Sequence, residues 1–186
     1  YFASSGFTDI TLSVPIALGR IEQLLDFALE IDSFHVLVDS PRAVEQLSAR
    51  ARERQQSVSV FMKVDCGYGR AGVVPGTDEA VALAWAIHRD PNLVFKGLLT
   101  HGGHSYDCHN RDQIREVAEQ ERTVVVEFAK YLRGEGIPFP EVSVGSTPTM
   151  CVVENLSGVT EIRPGNYAVF DGYQAAIGSC SLDDIA

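Results

Sequence analysis

Four short segments combine residue types that bind small anionic ligands or transfer protons. They read KVDCGYGR at residues 63–70, HGGHSY at 101–106, GSTPT at 145–149 and RPGNY at 163–167. Glycines let a backbone approach a ligand closely, and an arginine such as Arg70 offers an anion a rigid, planar set of donors. Each segment lies at the end of an apolar run, which predicts that each one lies at the end of a strand.

The third and fourth segments have the composition of phosphate-binding loops. Small hydroxyl side chains, such as those of Ser146 and Thr147, and free backbone N–H groups can surround phosphate oxygens. Phosphate sites of barrel proteins are typically formed by two neighbouring strand-end loops. The alternative for residues 145–149 is a simple Ser/Thr turn in which Pro148 ends the strand.

Residues 67–72 read GYGRAG and match the G-x-G-x-x-G pattern of dinucleotide-binding loops. That site also needs a helix that begins in the loop and an acidic residue at the end of the next strand. Here residues 73–76 delay the helix, and Asp90 precedes the next strand, so a nicotinamide-dependent oxidoreductase is the less favoured hypothesis. Arg70 is expected either to face a ligand or to form an ion pair with Asp65.

His101 and His104 indicate proton transfer, ring stacking or metal binding. Further potential ligands follow closely: Asp107, Cys108 and His109. Zinc requires three or four converging ligands, but the two glycines between the histidines impose no fixed geometry. We therefore favour a ring-stacking or acid–base role for His101, with a purely structural role as the alternative.

A regular alternation of strands and helices surrounds these segments. Strands are predicted at residues 9–13, 34–38, 58–64, 93–99, 141–145 and 159–162, and helices at 21–29, 40–54, 77–89 and 110–134. Gly134 is predicted to end the last helix in a left-handed conformation. The alternation implies a parallel sheet with right-handed crossovers.

The chain length of 186 residues holds about six βα units of roughly 30 residues, against eight in a complete barrel. In a barrel, all the polar strand-end segments lie at one mouth, whereas an open sheet concentrates function at one switch point. We predict an α/β fold: a (β/α)8 TIM-type barrel that is incomplete in this chain.

Composition excludes several classes of partner. The net charge is −10, with 15 Lys and Arg against 25 Asp and Glu, which argues against nucleic acids and anionic membrane surfaces. No apolar run reaches the roughly 20 residues of a membrane span. Four scattered cysteines without a C-x-x-C pair suit a reducing compartment, so a cytoplasmic location is predicted. The start at Tyr1, in mid-pattern and without Met, suggests a piece of a longer protein.

Together, in this order and spacing, the four segments resemble the D-serine dehydratase/D-threonine aldolase family. Its members are pyridoxal 5′-phosphate (PLP) enzymes with a barrel of the alanine racemase N-terminal type. The resemblance extends over essentially the whole chain. It implies that residues 1–180 are part of the PLP-binding barrel, that residues 181–186 begin the connection to a C-terminal β-domain, and that the first strand or strands of the barrel lie upstream.

The resemblance also implies cofactor-binding roles. Arg70 would lie near the phenolic oxygen of PLP, His101 would stack on the pyridine ring, and Tyr106 would lie beside the ring or its nitrogen. Arg163 occupies the position where the racemases place an arginine against the pyridine nitrogen. The other implied cofactor-binding residues, mainly around the phosphate, are Gly145, Ser146, Thr147, Gly165, Asn166 and Tyr167.

The resemblance places neither a catalytic residue nor a metal ligand in this chain. The Schiff-base lysine of the family lies upstream; Lys63, Lys96 and Lys130 do not match it and are predicted to be structural. A divalent metal, zinc or manganese, is expected in the C-terminal domain. The chain alone is predicted to be inactive and to expose barrel-edge strands.

The implied activity of the full-length protein is that of a lyase on D-amino acids with a β-hydroxyl. It would either dehydrate D-serine to pyruvate and ammonia or cleave D-threonine or another D-3-hydroxy amino acid. The PLP ring would accept electrons, and the metal would act on the β-hydroxyl as a Lewis acid. A non-catalytic PLP carrier or regulatory protein, and an amino-acid racemase of the same fold, are the alternatives. The expected partner is a small D-amino acid, and the full-length enzyme is expected to be a homodimer or a monomer.

Overall fold

Six parallel strands form the sheet at the centre of the computed structural model, which describes residues 1–185. The strands are β1 (Asp9–Pro15), β2 (Ser33–Val38), β3 (Val58–Lys63), β4 (Leu93–Leu99), β5 (Glu141–Val144) and β6 (Glu161–Ile162). The helices are α1 (Ile21–Phe27), α2 (Pro41–Glu53), α3 (Asp78–Arg89), α4 (Arg111–Gly134), α5 (Thr147–Val152) and α6 (Gly172–Ala176). Short 3₁₀ helices lie at Ala3–Ser5, Leu18–Arg20, Gly103–Asp107 and Leu182–Asp184.

The strand order distinguishes between the two α/β architectures. Each strand pairs with the next one along the chain, so that the order is β1-β2-β3-β4-β5-β6. A doubly wound sheet reverses its order at a switch point, whereas a barrel adds its strands in sequence. The sheet curls into a half-barrel, which confirms the predicted incomplete barrel.

The two faces of the sheet have separate apolar layers. Side chains that face the helices, including Val36, Val60 and Met62, belong to the main core. Residues one position further along the strands point to the concave face, where Leu37, Phe61 and Leu99 form a smaller cluster. The interior of the half-barrel is therefore filled by side chains, as in complete barrels.

The helix boundaries agree with the capping signals in the sequence. Ser40 accepts from the backbone N–H of Ala43, and Pro41 occupies the first helical position of α2. Asn110 caps α4 by accepting from the N–H of Gln113 at 3.0 Å. Within residues 1–185, no helix is both long enough and apolar enough to cross a lipid bilayer.

Three local predictions were inaccurate. α4 ends at Gly134, but the left-handed residue is Gly136, with φ of +90°, because Glu135 continues the right-handed backbone. α1 ends at Phe27, so Leu29, expected on its apolar face, is 71% exposed. β6 is shorter than expected because the Thr160 hydroxyl, rather than a backbone carbonyl, accepts from the N–H of Val142 at 2.8 Å.

Residues 181–186 were predicted to begin a connection to another domain. They contain the Leu182–Asp184 3₁₀ helix, and Ile185 forms an isolated bridge with Phe170. The last residue of that prediction, Ala186, lies outside the described residues. The connection itself stays a prediction.

Candidate functional site

A cavity of about 250 Å³ lies at the carboxyl ends of the strands. Its lining consists of Ser13, Val14, Arg70, His101, Tyr106, Ser146, Thr147, Arg163 and Gly165. Seven of the ten predicted cofactor-binding residues are in this lining. The lining contains two guanidinium groups and, among the described residues, no carboxylate, so the cavity suits an anion although the chain is strongly acidic.

His101 follows β4 and is held in a defined orientation. Its Nδ1 atom lies 2.9 Å from the carbonyl oxygen of Gly145. A carbonyl only accepts, so Nδ1 carries the proton in the neutral ring. Burial lowers the pKa of His101, and the bond to Gly145 partly opposes this shift. The neutral imidazole therefore presents a fixed ring and a free Nε2 lone pair.

Gly145 serves the site through its backbone conformation. Its φ is +125°, and a Cβ atom there would lie 3.0 Å from the backbone nitrogen of Arg163. Its N–H donates to Glu121 at 3.0 Å and is not available to a ligand. In this arrangement Gly145 positions the loop, and its contact with a phosphate stays a prediction.

Ser146 and Thr147 connect three strand-end loops. The Ser146 hydroxyl lies 2.9 Å from that of Ser105, in the loop after β4. The Thr147 hydroxyl accepts from the N–H of Asn166, in the loop after β6, at 2.7 Å. Asn166 thus uses its predicted phosphate-binding N–H within the protein, and Tyr167 is 64% exposed and outside the lining. Two other residues of that loop, Arg163 and Gly165, line the cavity.

Arg70 does not form the ion pair with Asp65 that was one of its two expected roles. The Asp65 carboxylate instead accepts from the N–H groups of Gly67 and Gly69, both at 3.0 Å. The Arg70 guanidinium lies 4.9 Å from the centroid of the Tyr68 ring and lines the cavity. Stacking holds the cation in place and leaves its N–H donors available for a ligand.

The glycine-rich loop does not have the structure of a dinucleotide-binding loop. After Gly72 the chain returns to the sheet, where Val73 donates to the carbonyl of Lys63 at 3.0 Å. The next helix, α3, begins only at Asp78. The less favoured nicotinamide hypothesis therefore lacks the helix N-terminus that it requires.

Two basic side chains, Arg163 and Lys63, lie beside each other at the cavity, and the Glu161 carboxylate lies 3.7 Å from the Arg163 guanidinium. Arg163 donates to the Ser143 hydroxyl at 2.7 Å and to the Thr100 carbonyl. Burial is the main cause that lowers the pKa of Arg163. Burial and the charge of Arg163 lower the pKa of Lys63 to about 8. Lys63 lies outside the lining, at the end of β3.

The two other lysines form ion pairs with glutamates, a partly buried pair for Lys96 and an exposed pair for Lys130. Lys96 lies 3.7 Å from Glu141, and Lys130 lies 2.7 Å from Glu127.

The histidine-rich segment does not form a metal centre in the part of the chain that is described. No three His, Cys, Asp or Glu residues converge there. His104 instead stacks on Tyr68, with ring centroids 5.9 Å apart. The four cysteines are free thiols.

Four residues of the site were not predicted from the sequence: Ser13, Val14, Ser105 and Glu121. Asp9, Thr11 and Ser13 occupy alternate positions of β1. Side chains at alternate positions point to the same face of a strand, so these three polar residues mark one face of β1. Glu121 lies on the apolar stripe of α4 between Val117 and Val125, and a carboxylate on such a stripe is a recognisable signal.

The half-barrel, with two arginines lining its strand-end cavity, defines an incomplete α/β barrel protein. Residues 10–172 match the alanine racemase N-terminal domain family, and the chain belongs to that family. It is similar to D-threo-3-hydroxyaspartate dehydratase of Delftia sp. (strain HT23), with 36% identity over 100% of this chain and 49% of that enzyme. It is also similar to D-serine dehydratase of Dictyostelium discoideum, with 35% identity over 99% of this chain and 49% of that enzyme.

Solved structures show the same likeness. The Delftia enzyme superposes with a TM-score of 0.91 over 100% of this chain and 49% of its own, at 37% identity. D-threonine aldolase from Filomicrobium marinum superposes with a TM-score of 0.84 over 99% of this chain and 49% of its own, at 26% identity. The chain therefore spans about half the length of the relatives it matches.

Proposed function

We propose that the strand-end cavity binds PLP and that the full-length protein is a PLP-dependent lyase acting on D-amino acids with a β-hydroxyl. One observation carries the proposal: two guanidinium groups, a fixed imidazole and four hydroxyl-bearing side chains line one cavity that has no carboxylate among its described lining residues. This donor set fits an anionic, phosphorylated aromatic ring. The names of the relatives supply the reaction class and the substrate class.

The lining residues divide into two groups by position. The hydroxyls of Ser146 and Thr147 and the backbone of Gly165 would hold the phosphate, because they lie together on the loops after β5 and β6. His101, Tyr106 and Arg70 would contact the ring from the loops after β3 and β4. Gly145 and Asn166 would act indirectly, through the loop positions that their backbones fix. Tyr167 stays a predicted cofactor-binding residue that does not line the cavity.

When bound, PLP would supply an electron-accepting ring for the cleavage of a bond at the substrate Cα atom. The chain's own residues would orient that ring and stabilise its charge. Arg163 cannot accept a proton, so beside a ring nitrogen it contributes only positive charge and N–H donors. Its contacts with Ser143 and the Thr100 carbonyl hold the guanidinium in place. The Schiff-base lysine and the proton-transferring base are proposed to lie outside these 186 residues.

The degree of similarity favours a lyase over a racemase. Two dehydratases match at 36% and 35% identity, and a D-threonine aldolase of Arthrobacter sp. matches at 30%. Alanine racemase of Clostridium difficile matches at only 15% identity, which shows the shared fold alone. Dehydration is the first candidate reaction and aldol cleavage the second.

The predicted divalent metal would be bound by residues outside this chain. A mutant of D-threo-3-hydroxyaspartate dehydratase has been solved in a metal-free form, which supports a chelator test on the full-length protein. The cytoplasmic location and the homodimeric or monomeric state stay predictions.

The proposal is tested by product analysis of the full-length protein. It is incubated with D-serine or D-threonine, with and without a chelator, and with the L-enantiomers as matched controls. Pyruvate and 2-oxobutanoate identify a dehydratase, whereas glycine and acetaldehyde identify an aldolase. Formation of the opposite enantiomer would indicate a racemase, and bound PLP without any product would indicate a carrier. A protein that binds no PLP would contradict the proposal as a whole.

A further inference from the structure

We propose that Glu121 is a positioning residue that holds the ring-binding loop and the phosphate-binding loop in their relative positions. The proposal rests on the proposed PLP-binding function. Glu121 belongs to α4, lies outside the cavity lining and is fully buried. Its role would therefore be exerted through the backbone of the residues that contact the cofactor.

The Glu121 carboxylate accepts three hydrogen bonds from two different loops. Its Oε1 atom accepts from the N–H of Gly102 at 2.6 Å and from the N–H of Gly145 at 3.0 Å. Its Oε2 atom accepts from the Thr149 hydroxyl at 3.2 Å. Gly102 belongs to the loop after β4, and the other two donors belong to the segment after β5.

Two of these three donors are next to a cavity-lining residue in the sequence, and the third is hydrogen-bonded to one. Gly102 directly follows His101, and Gly145 directly precedes Ser146. The Thr149 hydroxyl also accepts from the N–H of Ser146 at 3.0 Å. One buried carboxylate thus holds the backbone beside the proposed ring contact, and it holds the N–H of Ser146, the first proposed phosphate contact, through Thr149.

The contacts of Glu121 indicate why a carboxylate rather than an apolar side chain occupies this position. Burial of a carboxylate away from water costs several kcal/mol unless hydrogen bonds and nearby cations offset it. An apolar residue on the same stripe of α4, where Val125 is also fully buried, would avoid that cost but would leave the N–H groups of Gly102 and Gly145 without this acceptor. What the carboxylate adds is the ability to accept simultaneously from two backbone N–H groups that belong to different loops. This dual contact fixes the distance between the loops.

The loop after β4 approaches Glu121 so closely that there is little room for a side chain at Gly102. A Cβ atom at Gly102 would lie 3.0 Å from Oε2 and 3.1 Å from the carboxylate carbon of Glu121. The loop after β4 therefore packs directly on the carboxylate, and a shorter side chain at position 121 would leave both loops without this support.

Two substitutions at this position separate shape from hydrogen bonding. Glu121→Gln keeps the shape and one acceptor oxygen for the two N–H groups, but it loses the acceptor for Thr149 and the charge. Glu121→Ala removes all three contacts. Glu116→Gln, on the exposed face of the same helix, is the matched control.

The measurements are made on the full-length protein. Hydrogen–deuterium exchange of the cofactor-free form measures the exchange rates of the backbone amides in the two loops. An absorbance titration measures the affinity for PLP. We expect Glu121→Ala to accelerate exchange in both loops and to weaken PLP binding about tenfold or more, the scale of one to two buried hydrogen bonds. We expect a smaller effect of the same kind for Glu121→Gln and wild-type values for Glu116→Gln.

Folded variants that bind PLP with wild-type affinity would overturn the positioning role, even if their melting temperatures fall. If Glu121→Ala does not fold, Glu121→Gln and the nearly isosteric Thr149→Val decide by the same two measurements. A wild-type protein that binds no PLP would overturn the proposed function and the positioning role with it. If the wild-type protein binds PLP and the variants bind it equally well, only the positioning role would be overturned.

Discussion

The Nδ1 atom of His101 lies 2.9 Å from the carbonyl oxygen of Gly145 and joins the loop after β4 to the loop after β5. The hydroxyls of Ser105 and Ser146 connect the same two loops at 2.9 Å. A further bond, from the N–H of Asn166 to Thr147, adds the loop after β6. The groups on three loops that are proposed to contact the ligand are therefore positioned by one another, and a change in any of these bonds should affect the whole site.

Protonation of His101 should destabilise the protein in mildly acidic solution. Burial holds the pKa of folded His101 below its usual value near 6.5, so the unfolded chain takes up the proton first as the pH falls. The stability contributed by the neutral ring is complete above about pH 6.5 and is lost as the pH falls through the folded pKa. Melting temperatures of wild type and His101→Gln, measured between about pH 7.5 and 5, should show the larger decrease in wild type. Equal decreases would contradict this prediction.

Replacement of Lys63 by methionine should stabilise the protein at neutral pH. Burial and Arg163 lower the pKa of Lys63 from 10.5 to about 8, so its charged form costs about 3 kcal/mol in the folded state near pH 7. Wild type should gain stability as the pH rises from about 8 to 10.5, because the folded state loses its proton first. Denaturant unfolding of Lys63→Met should show a higher stability near pH 7 and no such gain. The exposed Lys130→Met is the control, and a less stable Lys63→Met at neutral pH would contradict the account.

Introduction of a Cβ atom at Gly103 should displace Tyr68 and weaken ligand binding through Arg70. The added atom would overlap the Tyr68 ring, on which the Arg70 guanidinium stacks. Overpacking of this kind costs about 1–3 kcal/mol, and PLP affinity should fall by a factor on the order of ten. Gly134→Ala, where nothing lies within 4 Å of the added atom, is the matched control. Unchanged PLP affinity in a folded Gly103→Ala protein would show that Tyr68 does not support Arg70.

The 186-residue chain by itself should not turn over D-serine or D-threonine. The proposed Schiff-base lysine and metal lie outside it, and the backbone of β1 and β6 faces outward at the two edges of the half-barrel. Product assays at equal molar concentrations of this chain and the full-length protein provide the comparison. Appreciable turnover by the shorter chain would contradict the assignment of the catalytic residues to other parts of the protein.

The sequence was sufficient for the strands, the sequential barrel and the clustering of polar segments at one end, because these depend on local periodicity and on parallel geometry. It was not sufficient for the bonds between loops. Thr147 and Asn166 are 19 positions apart and His101 and Gly145 are 44 apart, and no local pattern specifies which groups pair over such separations. For the same reason, Gly145 and Asn166 were expected to contact phosphate, whereas their N–H groups bond within the protein.

The central claim is that this cavity binds the phosphate of PLP, and titration of the cofactor-free full-length protein with PLP tests it most directly. We expect saturable binding of about one PLP per chain, weakened about fivefold or more by Thr147→Val, since that substitution removes both a phosphate donor and the acceptor for Asn166. Thr123→Val, on the surface of α4, should bind as wild type does. The absence of saturable binding, or equal affinity in Thr147→Val and wild type, would contradict the account.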